Sequence, residues 1–591
     1  MWKLFRYVKS YVWQVIVLLV AVAAQVWCSI QLPAMMADII NNGIMKSDLN
    51  YVWVAGVWMI GFALASSACA FLTNFIATWL GASITRDIRN DFFAHVLSLN
   101  ILEIDNFSTA SLITRTVNDI FQAQQAITMV LTMGVRAPLT CILAIGQAIV
   151  TAPDMTWIIA LAVGVIVLLS AIIMSIVMPK FRIIQKLADR ITLLTRENLT
   201  GLRVIRAFNN EGLEKRKFDK TNDENAKLNA TVDVIMSLQN PLISLVFNGT
   251  TLLCIWIGIT LITKDFAYLG NMMAFMQYAI QVVMSFLFLT MLFVVLPRAS
   301  VSAKRVNEVL NTHPKITWKT ETVGKPDLTP SVEFKNVDFA YSGAEEKVLQ
   351  NVSFVAKAGE TTAFIGSTGS GKSTLINLVP RFYEATAGEI KVNGVNIKDY
   401  AQRDLMRRIG YVPQRGLLFA GTVKSNILFG APEAGEEQMR QAARVSQAEE
   451  FIEKLDKKYE AHITQGGTNV SGGQRQRLSI ARAIAKAPDV YIFDDSFSAL
   501  DMKTDAKLRA ALKPVTRNAV TLIVAQRIST IKDAEQIIVL NQGKVVGKGS
   551  HLELLQNCKI YQEIAKSQFS EREFADEMKR SAKAKKGVDN A

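Results

Sequence analysis

The sequence has few of the residues from which many active sites are built. Of its 591 residues only five are cysteine and four are histidine, and no two cysteines form a CxxC pair. This scarcity indicates neither a disulfide framework nor a structural zinc site. Charged residues make up 20% of the chain, whereas 50% are apolar and the mean hydropathy is +0.23. A disordered chain has the opposite balance, and the apolar excess argues against a purely soluble enzyme.

The apolar residues are concentrated in long, uncharged runs in the first half of the chain. Residues 10–37, 51–85, 156–178, 234–263 and 266–297 contain no Asp, Glu, Lys or Arg. Each run exceeds the ~20 residues with which a helix crosses a bilayer. A sixth run, 120–150, carries Arg136, which we place toward the cytoplasmic part of its helix, where it can snorkel. The sequence therefore predicts a six-span, all-α membrane domain over residues 1–312, followed by a linker over 313–330.

The basic residues of the connecting segments predict the orientation. Segment 179–233 contains twelve Lys or Arg residues, and Lys3, Arg6 and Lys9 precede the first span, whereas the loop at 151–154 has none. Basic residues favour the cytoplasmic side. We therefore expect a multi-pass membrane protein with both termini in the cytoplasm. Segments 81–119 and 179–233 are expected to be helices prolonged beyond the bilayer. The formal charge of +14 reflects this topology, because no basic–aromatic pattern of a nucleic-acid-binding protein is present.

The second half contains a phosphate-binding motif in the context that such a motif requires. An apolar strand at 361–365 leads into G-x-x-x-x-G-K-S, and an apolar helix follows. Consecutive N–H groups of such a loop surround phosphate oxygens, the lysine reaches the terminal phosphates, and the serine hydroxyl can bind Mg²⁺. The residues predicted to bind ATP here are Gly366, Ser367, Thr368, Gly369, Ser370, Gly371, Lys372, Ser373 and Thr374.

Two further patterns complete the predicted chemistry. The apolar run 490–493 ends in Asp494, which we expect to hold Mg²⁺ through water, although a lone acid often only ends a strand. Ser471, Gly472, Gly473 and Gln474 form a turn before a helix, which is either a helix cap or an anion site. Because one P-loop already surrounds its phosphates, we expect this turn to contact the γ-phosphate bound on a second chain.

Together these features resemble the ATP-binding cassette (ABC) exporters over nearly the whole chain. Residues 366–373 look like Walker A, 490–494 like Walker B, and 470–474 like the signature motif with Val for the usual Leu. The resemblance implies that Tyr341 stacks on adenine, that Gln414 contacts Mg²⁺ together with Ser373 and Asp494, and that Asp501 acts toward the partner. It also implies six membrane helices with long cytoplasmic extensions, fused to a cytoplasmic α/β P-loop domain over 331–570 that uses ATP and Mg²⁺.

Two departures from the family pattern fall on the same face of the cassette. The catalytic position after Asp494 is normally a Glu that acts as general base, and here it is Asp495, about 1.5 Å shorter. The family's switch histidine is replaced by Gln526, which can donate a hydrogen bond but cannot become cationic. We therefore expect this chain to bind ATP well and hydrolyse it poorly. The combination resembles the degenerate-site subunit of heterodimeric bacterial multidrug exporters.

The resemblance leaves several alternatives open. The expected partners are a homologous, non-identical half-transporter, membrane lipid and an amphiphilic small molecule, with no nucleic acid. The alternatives are a homodimeric lipid or peptide exporter with slow ATPase activity and, with less support, an ATP-gated channel or regulator. The charged tail at 571–591 is expected to be a solvated or disordered extension.

Overall fold

The computed structural model describes residues 2–262, 268–327, 329–341 and 343–588, and the chain divides into two compact units. The first unit comprises Met1–Ser98 and Phe107–Thr312. The second comprises Leu99–Asn106 and His313–Ala591. The short segment Leu99–Asn106 is thus grouped with the second unit.

The first unit consists almost entirely of helices. Among the described residues, six helical stretches are long and apolar enough to cross a membrane, and each has between 39 and 51 residues. The six-span prediction is thereby confirmed. At about 1.5 Å per residue, the longest extend far beyond a hydrocarbon core of about 30 Å. The helices that begin before residue 313 are α1 (Val12–Asp38), α2 (Leu49–Ser98), α3 (Ile101–Phe107), α4 (Thr109–Thr114), α5 (Ile120–Met129), α6 (Val135–Thr151), α7 (Thr156–Thr200), α8 (Leu202–Ala207), α9 (Glu211–Ser237), α10 (Gln239–Ile262) and α11 (Tyr268–Leu310).

Polar contacts join the third span to α11 inside this unit. The buried carboxylate of Asp119 accepts a hydrogen bond from Ser302 Oγ at 2.8 Å. Arg115 forms an ion pair with Glu308 at 2.9 Å. Buried polar groups are tolerated where they are paired, so these contacts fix how the two helices pack.

The second unit is an α/β cassette built on two main sheets. A six-stranded sheet has the order β12-β11-β3-β10-β9-β6, and its strands are parallel except β12. An antiparallel sheet has the order β2-β1-β4-β5. The strands are β1 (Ser331–Phe339), β2 (Leu349–Lys357), β3 (Thr361–Gly366), β4 (Ala387–Val392), β5 (Val395–Asn396), β6 (Ile409–Val412), β7 (Gly421–Thr422), β8 (His462–Ile463), β9 (Val490–Asp494), β10 (Val520–Val524), β11 (Gln536–Asn541) and β12 (Lys544–Gly549).

The parallel sheet is buried on both faces. Along β9, Tyr491 and Phe493 belong to one apolar core, and Val490 and Ile492 belong to the other. A parallel strand covered on both sides is apolar throughout rather than alternating. The helices of the cassette are α12 (Lys372–Leu378), α13 (Gln402–Arg408), α14 (Val423–Ile427), α15 (Glu436–Val445), α16 (Glu449–Ile452), α17 (Gly472–Ala485), α18 (Met502–Val515), α19 (Ile528–Ile531), α20 (His551–Asn557), α21 (Lys559–Gln568) and α22 (Glu571–Val588).

The charged tail is helical over residues 571–588, and the expectation of a solvated or disordered extension is wrong for the part up to Ser581 that packs against the cassette. These residues form α22, in which Phe574 and Met578 pack against the core of the cassette. Ser581 is fully buried and donates a hydrogen bond to the Leu552 carbonyl at 2.9 Å. Positions 574, 578 and 581 share one side of a helix. Glu573, Asp576 and Lys579 are exposed on the other sides of the helix. Such charges conceal the apolar side when only the composition of the segment is considered.

Candidate nucleotide-binding site

The predicted site residues meet at one edge of the parallel sheet. Val524, the last residue of β10, lies beside Asp494 at the end of β9 and beside Phe364 in β3. The P-loop leaves β3 at Gly366, and Gln526 follows β10 by two residues. Because these strands are parallel, their carboxyl ends deliver three loops to the same place, where α/β proteins bind ligands.

The P-loop has a backbone that only glycine permits. A Cβ added to Gly366 would overlap the carbonyl oxygen of Leu540, and one added to Gly371 would lie 2.8 Å from Leu349 Cδ2. Gly369 and Gly371 have φ of +81° and +96°, in the left-handed region that favours glycine. These glycines let the loop curve tightly between β3 and α12 and leave its N–H groups free of side-chain shielding.

The ammonium group of Lys372 lies inside the curve of the loop. Its Nζ donates to the carbonyl oxygens of Gly366 at 2.9 Å and Ser367 at 2.7 Å. Burial lowers the pKa of Lys372, while the carboxylates of Asp495 and Asp494 oppose that shift. The positive charge is therefore held where the terminal phosphates of a nucleotide would lie.

Two oxygen ligands suited to magnesium lie side by side at the base of the loop. Ser373 Oγ donates to Asp494 Oδ1 at 2.9 Å. Asp494 is buried, and this burial raises its pKa despite the serine hydrogen bond. Mg²⁺ prefers hydroxyl and carboxylate oxygens. A divalent cation would also stabilise the ionised carboxylate, so these residues fit the metal that ATP carries.

Asp495 is held by two amides that share one of its oxygens. Its Oδ2 accepts from Gln414 Nε2 at 3.1 Å and from Gln526 Nε2 at 2.9 Å. The backbone of Asp495 has φ +46°, and its N–H donates to the Val524 carbonyl at 3.0 Å. Burial raises the pKa of Asp495, and the Gln414 hydrogen bond opposes that rise. The two departures from the family pattern, Asp495 and Gln526, are thus in direct contact.

Tyr341 lies beside the P-loop with one part of its ring accessible. Its hydroxyl lies 3.0 Å from Thr374 Oγ1, and its ring packs edge-on against Phe339 and Tyr383. The residue is 36% exposed. A planar base can stack on such a partly exposed aromatic ring.

Of the five residues expected to act on a partner's nucleotide, Ser471 and Gln474 bond to each other, and Asp501 bonds elsewhere. Ser471 Oγ accepts from the Gln474 N–H at 3.2 Å, and Gln474 Oε1 accepts from the Ser471 N–H at 2.9 Å. This reciprocal cap starts α17, with Gly472 and Gly473 as its first residues. Asp501 is exposed, and it caps α18 by accepting from the Thr504 N–H at 2.9 Å, which lowers its pKa. The helix-cap interpretation is correct, and the exposed turn at Ser471 and Gly472 also remains open to a second chain.

Sequence reasoning missed the residues that support these loops. Gln476 is buried, and it contacts the loop after β6 twice, by donating to the Pro413 carbonyl at 3.0 Å and accepting from the Gly416 N–H at 2.8 Å. It therefore connects the segment of Gln414 with the signature helix α17. Gln568, far along the chain, contacts the loop of Gln526. The only sequence signal for Gln476 was its place two residues after the signature motif, and Gln568 had none.

Comparison with known proteins agrees with this architecture. A family model described as the ABC transporter transmembrane region matches residues 15–286, and one described as ABC transporter matches residues 349–498. An uncharacterized ABC transporter ATP-binding protein of Mycobacterium tuberculosis is 37% identical over 574 residues, which cover 95% of this chain and 97% of the relative. The lipid A-core flippase of Desulfotalea psychrophila is 31% identical, over 88% of this chain and 90% of that protein.

A solved structure shares the fold. The structure of a bacterial Atm1-family ABC exporter with ATP bound superposes with a TM-score of 0.78 at 22% identity, covering 95% of this chain and 99% of that one. The chain therefore belongs to the ABC transporters. Because six spans and one cassette occur in a single polypeptide, it is an ABC exporter, a transporter driven by ATP.

Proposed function

We propose that this chain is one half of a heterodimeric exporter of amphiphilic compounds, including drugs, in the bacterial plasma membrane. Its own P-loop face binds ATP and hydrolyses it slowly. Its signature turn, which begins at Ser471, completes the fast site on a homologous but non-identical partner. Both termini lie in the cytoplasm, where ATP is available.

The observation that carries this proposal is the shared oxygen of Asp495. A general base must reach the attacking water within about 2.6–3.2 Å. The Asp495 carboxylate is one methylene shorter than glutamate, and its Oδ2 already accepts from Gln414 and Gln526. Both amides are neutral donors, so neither can supply the positive charge of a protonated histidine. The signature turn carries no comparable loss.

The residue roles follow from this arrangement. Lys372 and the P-loop N–H groups bind the phosphates, and Tyr341 stacks on the base. Ser373, Gln414 and, through water, Asp494 hold Mg²⁺. ATP between two cassettes favours their closed state only to the extent that it binds that state more tightly than the open one. Hydrolysis at the partner's site then releases the closed state, while ATP on this chain stays bound through several cycles.

Purification with and without the natural partner tests the proposal. The chain alone, in lipid nanodiscs, is expected to bind ATP with little turnover, and the complex with its partner to turn over rapidly. A partner variant that lacks its own general base should remove nearly all activity of the complex. Rapid ATP hydrolysis by the purified single chain would contradict the proposal that the fast site lies on the partner.

A second candidate, a homodimeric exporter of anionic lipids with slow ATPase activity, has one specific observation in its favour. Arg136 is exposed on α6, within the otherwise uncharged run 120–150. A cation at such a depth requires water, a partner group or a counter-ion. Relatives named lipid A-core flippases are 28–31% identical to this chain.

Transport by the single chain separates the two candidates. If the chain is a homodimeric lipid exporter, it should move a fluorescent anionic lipid across proteoliposomes without any partner, and Arg136→Gln should slow this movement. If it is half of a heterodimer, only the two-chain complex should transport, and neutral amphiphiles should be substrates.

A further inference from the structure

Gln568 contacts the switch loop at its functional residue, Gln526, and again two residues further along. Its Nε2 donates to the Gln526 carbonyl at 2.7 Å, and its Oε1 accepts from the Ile528 N–H at 2.8 Å. A single amide therefore pairs with an acceptor and a donor two residues apart. Such a two-point contact restricts both position and rotation of the loop.

The other end of the loop is already fixed by the sheet. The Ala525 N–H donates to the Phe364 carbonyl at 3.1 Å, which continues the pairing of β10 with β3. Gln526 follows immediately, and its side chain reaches Asp495 at 2.9 Å. With Ala525 held by the sheet and Ile528 held by Gln568, the backbone of Gln526 is restrained from both directions.

The helix that carries Gln568 is packed against the rest of the cassette. Gln568 is the last residue of α21, whose Tyr561 and Ala565 are fully buried. The Tyr561 hydroxyl contacts His551 Nδ1 at 2.7 Å, which joins α21 to α20. Side chains that hold an active group in place must have their own position fixed by packing. Packing of α21 fixes the backbone of Gln568, and the two hydrogen bonds to the switch loop, rather than packing, orient its exposed side chain.

We propose that Gln568 is a positioning residue that holds the Gln526 amide toward the nucleotide site. It does not contact the nucleotide but acts through the backbone of Gln526. Loss of its two hydrogen bonds lets the switch loop move away, so ATP enclosed on this chain is released sooner. The proposal rests on the role of Gln526 as the switch residue, but it applies equally to a homodimer and a heterodimer.

The test measures how long this chain retains nucleotide. The full-length protein in nanodiscs is loaded with photoreactive azido-ATP, chased with unlabelled ATP, and irradiated at intervals, so that the label identifies the chain whose P-loop holds it. We expect Gln568→Ala to speed release about 5- to 20-fold, because two neutral hydrogen bonds are lost. Labelling without a chase should stay within twofold, because Gln568 lies outside the P-loop.

Gln562 provides a matched control on the same helix. Its Nε2 donates to the Leu555 carbonyl at 2.6 Å, away from the nucleotide site. Gln562→Ala should leave release unchanged. Gln568→Glu keeps an acceptor for Ile528 but places a second acceptor against the Gln526 carbonyl, so its release should be at least as fast as that of Gln568→Ala.

Thermal unfolding of each variant identifies a purely structural effect. Equal release rates for Gln568→Ala and Gln562→Ala, or a lower melting temperature of Gln568→Ala with unchanged release, would overturn the positioning role. The heterodimer proposal fails on a different result. It is contradicted if the unmodified single chain hydrolyses ATP rapidly, whatever the release rates of the Gln568 variants are.

Discussion

The contact between Asp495 and Gln526 predicts that restoring the family's two residues has a cooperative effect. Asp495→Glu lengthens the carboxylate by about 1.5 Å. In the single variant, the Gln526 side chain can move with the carboxylate. Its Nε2 then still donates to the carboxylate oxygen that must accept the proton of water. Gln526→His on its own leaves the base too short. Only the double variant provides the longer reach and also removes the Gln526 amide from that oxygen, which then accepts from Gln414 alone.

The expected magnitudes follow from this shared oxygen. Correct placement of a general base is worth 10²–10⁴-fold in rate. We expect about tenfold faster hydrolysis for Asp495→Glu, about twofold for Gln526→His and about 100-fold for the double variant. The excess over the product of the single effects is about fivefold, or about 1 kcal/mol. Residues within one hydrogen-bond network typically couple by 0.5–3 kcal/mol.

Single-turnover hydrolysis with protein in excess over ATP measures these rates without interference from product release. Asp489→Glu is a suitable control, because it lengthens a carboxylate at the start of the same strand, where Asp489 pairs with Arg408 at 2.6 Å. That change should not alter turnover. The reasoning is refuted if Asp495→Glu is as slow as the unmodified chain, or if the double variant shows only the product of the two single effects.

Three further predictions concern other parts of the cassette. Ser471→Ala and Ser550→Ala each remove a reciprocal helix cap and should lower stability by about 1 kcal/mol in thermal unfolding, but only Ser471→Ala should reduce the ATPase activity of the assembled transporter. Gly366→Ala should weaken ATP binding at least tenfold in a filter-binding assay, because its Cβ would overlap a carbonyl oxygen, whereas Gly435→Ala, which has open space, should not. Burial lowers the pKa of His551, so the folded state binds its proton less readily than the unfolded chain. Stability should therefore be constant above about pH 6.5 and decrease as the pH falls below it, and melting temperatures of His551→Gln between pH 8 and 5 should lack that part of the decrease.

The parts of the site that were predictable from sequence are those whose geometry is local. The P-loop residues are contiguous, so the spacing from Gly366 to Ser373 already implies a tight loop before a helix. The membrane spans were predictable for a similar reason, because a charge-free apolar run that is long enough to cross a bilayer is typical of a membrane-spanning helix. In both cases the residues of one short segment are sufficient for the prediction.

The supporting contacts were not predictable, because they join distant positions through the order of the strands. Gln414 and Asp495 are 81 residues apart, and Asp495 and Gln526 are 31 apart. Gln568 is an exposed residue at the end of a helix, and nothing in its neighbourhood distinguishes it from a solvated glutamine. The tail was misjudged because α22 has only a narrow apolar side, at Phe574 and Met578, among many charges.

The shared oxygen also changes how the two departures from the family pattern are understood. As sequence differences, Asp495 and Gln526 are two separate losses that happen to lie on one face. In the structure the shorter carboxylate leaves room for two neutral amides, and both of them donate to Oδ2. A longer side chain at 495 would require both amides to move with its carboxylate, and an imidazole at 526 would present a different donor geometry. The two substitutions therefore suit each other, and this is why restoring them one at a time should recover only part of the hydrolytic rate.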